Sequence, residues 1–212
     1  TFDGKNHKIK NLVINQPNNN VMGLFGYING YFGKVVIKNL TIESGSIIGA
    51  DQLGAIVGRT DNNGYIINCV NKISVKGRGE TGGIVGHGTN GTVCIACENY
   101  GKISATGEFA SGVMGHCEQG GDFIACLNHA NIAAERYDIG GIAGCHNDSG
   151  EFTACLSEGM ISGADDQGGI VGVLMGTATN NACHFTSTTP DLKLAGNALG
   201  NDWKEIGMSY QE

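Results

Sequence analysis

The sequence predicts an all-β fold: a right-handed parallel β-helix of about six to seven coils, with 28–29 residues in each coil. Three observations carry this prediction. The composition suits short strands and tight turns, a glycine-bracketed apolar element recurs along the chain, and a column of cysteines keeps phase with it.

Composition comes first. Among 212 residues there are 36 glycines and only two prolines, and charged residues make up 16%, where about 25% is usual. The glycines follow no G-X-Y period, and a hydrophobic content of 41% is enough to build a core. Glycine supplies the unusual backbone angles of tight turns, and β-branched residues favour strands. A net charge of −7 argues against a nucleic-acid partner, because a phosphate backbone needs a clustered basic footprint. No apolar run approaches the roughly 20 residues of a membrane span. The opening TFDGKNHKIKNLVI lacks the apolar stretch of a signal peptide and reads like the middle of a strand pattern. The expectation is a piece of a longer protein, with any export signal or anchor outside it.

The repeat sets the architecture. GLFG (23–26), GAIVG (54–58), GGIVG (82–86), SGVMG (111–115), GGIAG (140–144) and GGIVG (168–172) close on Gly26, Gly58, Gly86, Gly115, Gly144 and Gly172, at spacings of 32, 28, 29, 29 and 28. One more period reaches Gly200, in a degenerate last turn. Cys69, Cys97, Cys126, Cys155 and Cys183 each follow a closing glycine by 11 residues. Asn71, Asn99 and Asn128 follow their cysteines by two, with Ser157 and Phe185 continuing the position; Val75, Ile103, Ile132 and Ile161 follow by six. Each repeat therefore offers three short strands, around the glycine element, the cysteine and segments such as KISVKG.

A unit of this length cannot bury its own apolar face, so units must stack. At about 4.8 Å per coil the rod is on the order of 30 Å long. Right-handed coiling follows from crossover chirality. A propeller blade needs about 40 residues, which the period excludes.

Residues 1–188 form the β-helix domain, with opening coils over 1–50 and regular coils over 51–188. In the opening coils Ile9–Ile14 and Ile37–Ile42 share an I-K-N-L-x-I core whose alternation fits strands with one buried face. Residues 189–212 read as a degenerate last coil and C-terminal cap over the open end, a role that suits Trp203, the sole tryptophan.

The GLFG tetrad, the repeated GGIVG, the C-x-N element and the F-D-G-x-x-H-x-I-x-N-L opening resemble GLUG-motif repeat proteins over roughly residues 1–186. These are bacterial surface and secreted proteins, frequent in gut anaerobes, and the motif also occurs in the non-catalytic region of immunoglobulin-A metalloproteases. The resemblance implies an extracellular or cell-surface location, an adhesin role, and no catalytic residues to carry over. It also implies an anaerobic habitat, in which the thiols would stay reduced.

Four groups of residues carry possible chemistry. The cysteine ladder reads as core packing, because thiols behave as small buried hydrophobes; Cys94 and Cys97 form a lone C-x-x-C. Disulfides across rungs would have to meet a demanding dihedral, and free thiols are expected. Next to the closing glycines lie His87, His116 and Cys145 at offset +1, with Cys117 and His146 at +2. Stacking brings such side chains close, so His87, His116, Cys145 and His146 are candidate metal ligands. Against this, Arg59 and Val173 share the +1 column, and adjacent offsets face opposite ways; ordinary polar turn residues remain the main reading. Asp51, Glu80, Glu108, Asp138, Asp165 and Asp166, six or seven residues before the closing glycines, form a stripe along one edge. That stripe reads as a solvated edge, though paired carboxylates could serve glycoside hydrolysis. The asparagines read as a turn stack in which side-chain amides satisfy backbone groups.

One apolar series depends on strand alternation. With the cysteines and Ile67, Ile95 and Ile124 facing inward, Phe123, Phe152, Leu127 and Leu156 face outward as an apolar strip. Five turn loops (60–64, 88–91, 118–121, 147–150 and 176–181) share one phase and should cluster on one edge of the rod.

No G-x-S-x-G, H-E-x-x-H or P-loop is present, and neither a catalytic residue nor a cofactor is expected. The reading is a non-catalytic bacterial cell-surface module, for adhesion to a host, glycan or protein ligand, or for rigid spacing. Two alternatives stand beside it: a polysaccharide-active β-helix lyase or hydrolase, by analogy of fold, and the substrate-binding region of a larger secreted protease. A groove of clustered carboxylates with a Lys or Arg base would favour the lyase.

Overall fold

The computed structural model describes residues 1–186, 189 and 191–199. Every strand pairing among them is parallel, and no helix occurs among the described residues. Each coil passes through three sheets and returns one rung further along, giving a β-solenoid of about six turns. Gly200 and Trp203 lie outside the described residues.

The cysteine sheet is built from Val35–Ile42, Gly64–Asn71, and then paired short strands such as Thr92–Ile95 with Glu98–Asn99. A second sheet, here the isoleucine sheet, has six rungs: Leu12–Asn15, Gly45–Ile48, Ser74–Gly77, Ile103–Ala105, Ile132–Ala134 and Ile161–Ser162. The glycine sheet follows, with pairs such as Gly79–Gly82 and Val85–Thr89, and gains Lys193–Leu199 beside Gln167–Met175 as its last rung. The tail thus extends the sheet, and Leu194 within it is buried.

All three sheets line one core. In the isoleucine sheet Ile47, Val75, Ile103, Ile132 and Ile161 stack in register and are buried. Ile84, Val113, Ile142 and Ile170 of the glycine elements are also fully buried, as are the five cysteines of the ladder. The two I-K-N-L-x-I segments are not stacked on one another. Ile9 lies beside Ile42 and Phe2 beside Ile37, so the first copy turns into the isoleucine sheet where the second continues the cysteine sheet.

One expectation is reversed. The inward row ahead of the cysteines is Ile66, Cys94, Phe123 and Phe152, in register and buried, whereas Ile67, Ile95 and Ile124 are only half-buried on the outer side. Phe123 and Phe152 therefore fill the core and form no exposed strip. Leu127 and Leu156 are half-buried, on the outer side as expected. The cause is a left-handed residue before each cysteine: Asn68 at φ 50°, Ala96 at 49°, Ala125 at 52° and Ala154 at 51°. That kink breaks the two-residue alternation, so the cysteine and the residue three before it share the inner face.

The asparagine column stacks at the corner between the cysteine and isoleucine sheets, and it is buried. Asn71 Nδ2 donates to Ile73 O (3.0 Å) and to Asn99 Oδ1 (2.8 Å), while the Ile73 N–H donates back to Asn71 Oδ1 (2.9 Å). Asn99 repeats the pattern with Gly101 and Asn128, and Asn128 with Ala130 and Ser157 Oγ. Each amide thereby satisfies turn groups that would be costly to bury alone.

This ladder explains the doubled glycine. A Cβ on Gly83 would lie 2.5 Å from the Asn99 side chain; Gly112 meets Asn128 at 2.4 Å, Gly141 meets Ser157 at 2.3 Å and Gly169 meets Phe185 at 2.2 Å. In all four pairs 16 residues separate the glycine from its partner. The glycine and C-x-N columns keep phase because one supplies the space that the other fills.

The predicted turn loops do stack on one edge. Backbone bonds link Asn63 N to Asn90 O, Asn90 N to Glu118 O, Gly120 N to Asn147 O and Asp148 N to Met175 O.

Candidate functional site

Two surfaces gather chemistry. The first is the outer edge of the glycine sheet, where His87 and His116 are direct cross-strand partners, flanked by Arg59 and Cys145. Stacking places the two imidazole rings edge to face, 4.9 Å apart. The acidic stripe divides here into two columns. Gln52, Glu80, Phe109, Asp138 and Asp166 all adopt left-handed angles between 45° and 64°. This turns Glu80 toward the histidines, and Phe109 stacks on His116 with centroids 4.7 Å apart. Asp51 and Glu108, one residue earlier, line an adjoining groove with Arg78, Phe109 and Arg136.

Glu80 Oε1 lies 3.1 Å from His87 Nδ1 and 3.4 Å from His116 Nδ1. Burial alone would raise the Glu80 carboxyl, but His116 and His87 outweigh it and hold it well below the usual carboxylate range. Two coils on, burial pushes Asp138 up to about 7, helped by the charges of Asp166 and Glu108.

Of the four candidate ligands, the structure unites His87 and His116 and separates the others. Cys145 shares the register of His116, but its thiol donates to Asn147 Oδ1 at 3.2 Å. Burial, with Asp138 and Glu108 nearby, lifts that thiol to about 12. His146 and Cys117 point into the core. The His146 Nε2 lies 3.0 Å from Gly121 O, the ring packs edge-on against Phe152, and burial lowers its pKa. The ring is a core histidine held by one hydrogen bond through Nε2, with Nδ1 buried and unpartnered. Glu80, read in the sequence only as part of the stripe, takes their place. Its signal was its position directly before a Thr-Gly-Gly turn, in the same repeat as His87 and one repeat before His116.

The ladder thiols donate to backbone carbonyls of the previous coil: Cys97 to Ile66 O, Cys126 to Cys94 O and Cys155 to Phe123 O, each at 3.3 Å. Burial pushes Cys69 and Cys126 upward, whereas hydrogen bonds from neighbouring ladder thiols draw Cys97 and Cys155 downward, and all of them are shut away from solvent. Their burial makes them packing groups out of reach of reagents.

The second surface is the outer face of the isoleucine sheet. Ile48, Lys76, Ser104, Ala133 and Ser162 form its outward row, in register along the rod. With Ser46, Ser74, Lys102 and Thr106, the Ile48 to Ala133 part of this row lines an open groove of about 510 Å³, with Glu135 also in its lining. On the turn leading into this face, Lys72, Tyr100, the half-buried His129 and Glu158 form a column: Lys72 sits over the Tyr100 ring, Tyr100 stacks on His129 at 4.4 Å, and His129 pairs with Glu158.

Arg78, the cation nearest the acidic groove, is ion-paired with Asp51, and Arg136 lies over the Tyr137 ring. A guanidinium held this way stays protonated and is a poor general base. Compared with family models, with curated proteins and with solved structures, the chain finds no match, so these two surfaces are what carry a functional reading.

Proposed function

We propose that the chain is a non-catalytic binding module of a bacterial cell-surface or secreted protein, holding an extended glycan along the outer face of its isoleucine sheet. The observation that supports this most is the row Lys76–Ser104–Ala133–Ser162 with Lys102 and Ser74 beside it. It is flat, open and rich in hydroxyl and ammonium donors, in a chain of net negative charge. Donors repeating at about 4.8 Å along the rod suit a polymer with carboxylate or sulfate groups, which lysine contacts as a point charge. The resemblance to GLUG-motif repeats, with their surface location and adhesin role, points the same way. A rigid spacer uses the same stacked core and needs no ligand.

The second reading, a polysaccharide lyase or hydrolase, is favoured by one feature: Asp51, Glu80 and Glu108 share a groove of about 380 Å³ with Arg78 and Arg136. Of its two guanidinium groups, Arg78 is ion-paired with Asp51 and Arg136 lies over the Tyr137 ring, an arrangement that favours the binding reading.

A glycan array run beside a cleavage assay on the same polysaccharides separates the readings. The binding reading expects capture of anionic glycans without cleavage, and at least a tenfold loss in Lys76→Ala/Lys102→Ala. Chain cleavage without added enzyme, or capture indifferent to both lysines, overturns it.

A further inference from the structure

We infer that Glu80, His87 and His116 form a divalent-metal site that clips two successive coils together, with zinc the best-matched ion. Their ligand atoms all lie within 4.8 Å of one another. Tetrahedral zinc with bonds of about 2.1 Å sets its ligand atoms about 3.4 Å apart. Two of the three edges are already there, at 3.1 Å from Glu80 Oε1 to His87 Nδ1 and 3.4 Å to His116 Nδ1. Two imidazoles and one carboxylate form a donor set that zinc and other first-row divalent ions accept, with a further position left open.

An independent observation points to a ligand. The His87 side chain is only 5% exposed, and neither of its ring nitrogens has a hydrogen-bond partner. Glu80 sits near Nδ1, but not where a hydrogen bond would form. Burying both nitrogens unpaired is costly, and a cation between Nδ1 and Glu80 removes half of that cost.

The surroundings fit ligation as well. Glu118 Oε2 lies 3.4 Å from His87 Nε2, the far side of the ring, where a carboxylate orients a metal-bound imidazole and strengthens its basicity. On the far side of the other ring, Asn147 Nδ2 lies 3.4 Å from His116 Nε2, while its Oδ1 accepts from the Cys145 thiol. Phe109 covers one face of His116. The inference is independent of the glycan-binding reading, because it concerns a different sheet.

The test uses the whole chain at pH 8. Zn²⁺ titration should saturate at one ion per chain and raise the melting temperature. Co²⁺ should give visible ligand-field bands without a thiolate charge-transfer band. Glu80→Gln, nearly isosteric and on a partly buried side chain, should keep the strand signature in circular dichroism and lose at least tenfold in affinity, together with the melting shift. His116→Asn should do the same, and Cys145→Ser should bind as the parent does. No saturable uptake by the parent overturns the site, as does uptake that survives both Glu80→Gln and His116→Asn. A charge-transfer band that disappears in Cys145→Ser also overturns it.

Discussion

Phe123 lies almost flat on Phe152 inside the core, with ring centroids 4.8 Å apart and planes inclined by 12°. The pair occupies the row that Ile66 and Cys94 fill in earlier coils, and the neighbouring Ile124 faces outward. Truncating a buried phenylalanine costs about 3–5 kcal/mol, whereas Ile124→Ala removes a half-exposed side chain and should cost under about 1 kcal/mol. Urea melts of Phe123→Ala and Ile124→Ala check this. Equal losses, or a larger loss at Ile124, would reverse the assignment of faces.

Asn99 sits at the middle of the buried amide ladder. Asn99→Ala would strand the turn groups of Gly101 and leave Asn71 and Asn128 each short of one hydrogen bond. With each orphaned group costing about 1–3 kcal/mol, the loss should be on the order of 4 kcal/mol. Asn99→Ser, which copies the residue found at Ser157, should lose about half as much. Thermal denaturation of the two variants side by side measures the difference.

Much of this was legible in the sequence, and the reason is spacing. The 28–29 period, the inward cysteines, the stacked asparagines and the clustered loops all follow from residues recurring at fixed offsets. The facing of Phe123 was not legible, because the residues that break alternation at that rung and its neighbours, Ala96, Ala125 and Ala154, do not announce a left-handed backbone. Glu80 was hidden for a related reason. Its own left-handed angle turns it out of the stripe and toward His87 and His116.

Asp138 makes stability depend on pH. Its carboxyl is pushed up to about 7 in the folded chain, so the folded state keeps a proton that the unfolded state releases near pH 4. Stability from this group is therefore greatest at or below about pH 4, falls as pH rises to about 7, and is level above that. Asp138→Asn should stabilise the protein at pH 8 by on the order of 2 kcal/mol and change little at pH 4. Glu80 acts in the opposite sense and lower down, since its depressed carboxyl loses stabilisation as pH falls below the ordinary carboxylate range. Melting temperatures of Asp138→Asn and its parent from pH 4 to pH 8 test the sign; parallel curves would refute it.

All eight cysteines are buried as free thiols, and burial holds Cys145, beside the histidine pair, at about 12. A thiol reagent at pH 8 should label none of them in the native chain within minutes and all eight in denaturant. Fast labelling of one native thiol, followed by peptide mapping, would identify a coil that opens locally.

The asparagine ladder also has a direction. From Asn71 to Asn99 to Asn128 to Ser157 each amide N–H₂ points to the oxygen of the next rung, so the dipoles lie head to tail and polarise one another. Reversing any one amide would set two oxygens face to face, so the four coils share a single orientation that no coil can change alone. A stack of repeats held only by nearest-neighbour contacts can fray one unit at a time; this one carries a polarised thread along one buried corner that ties those four coils together.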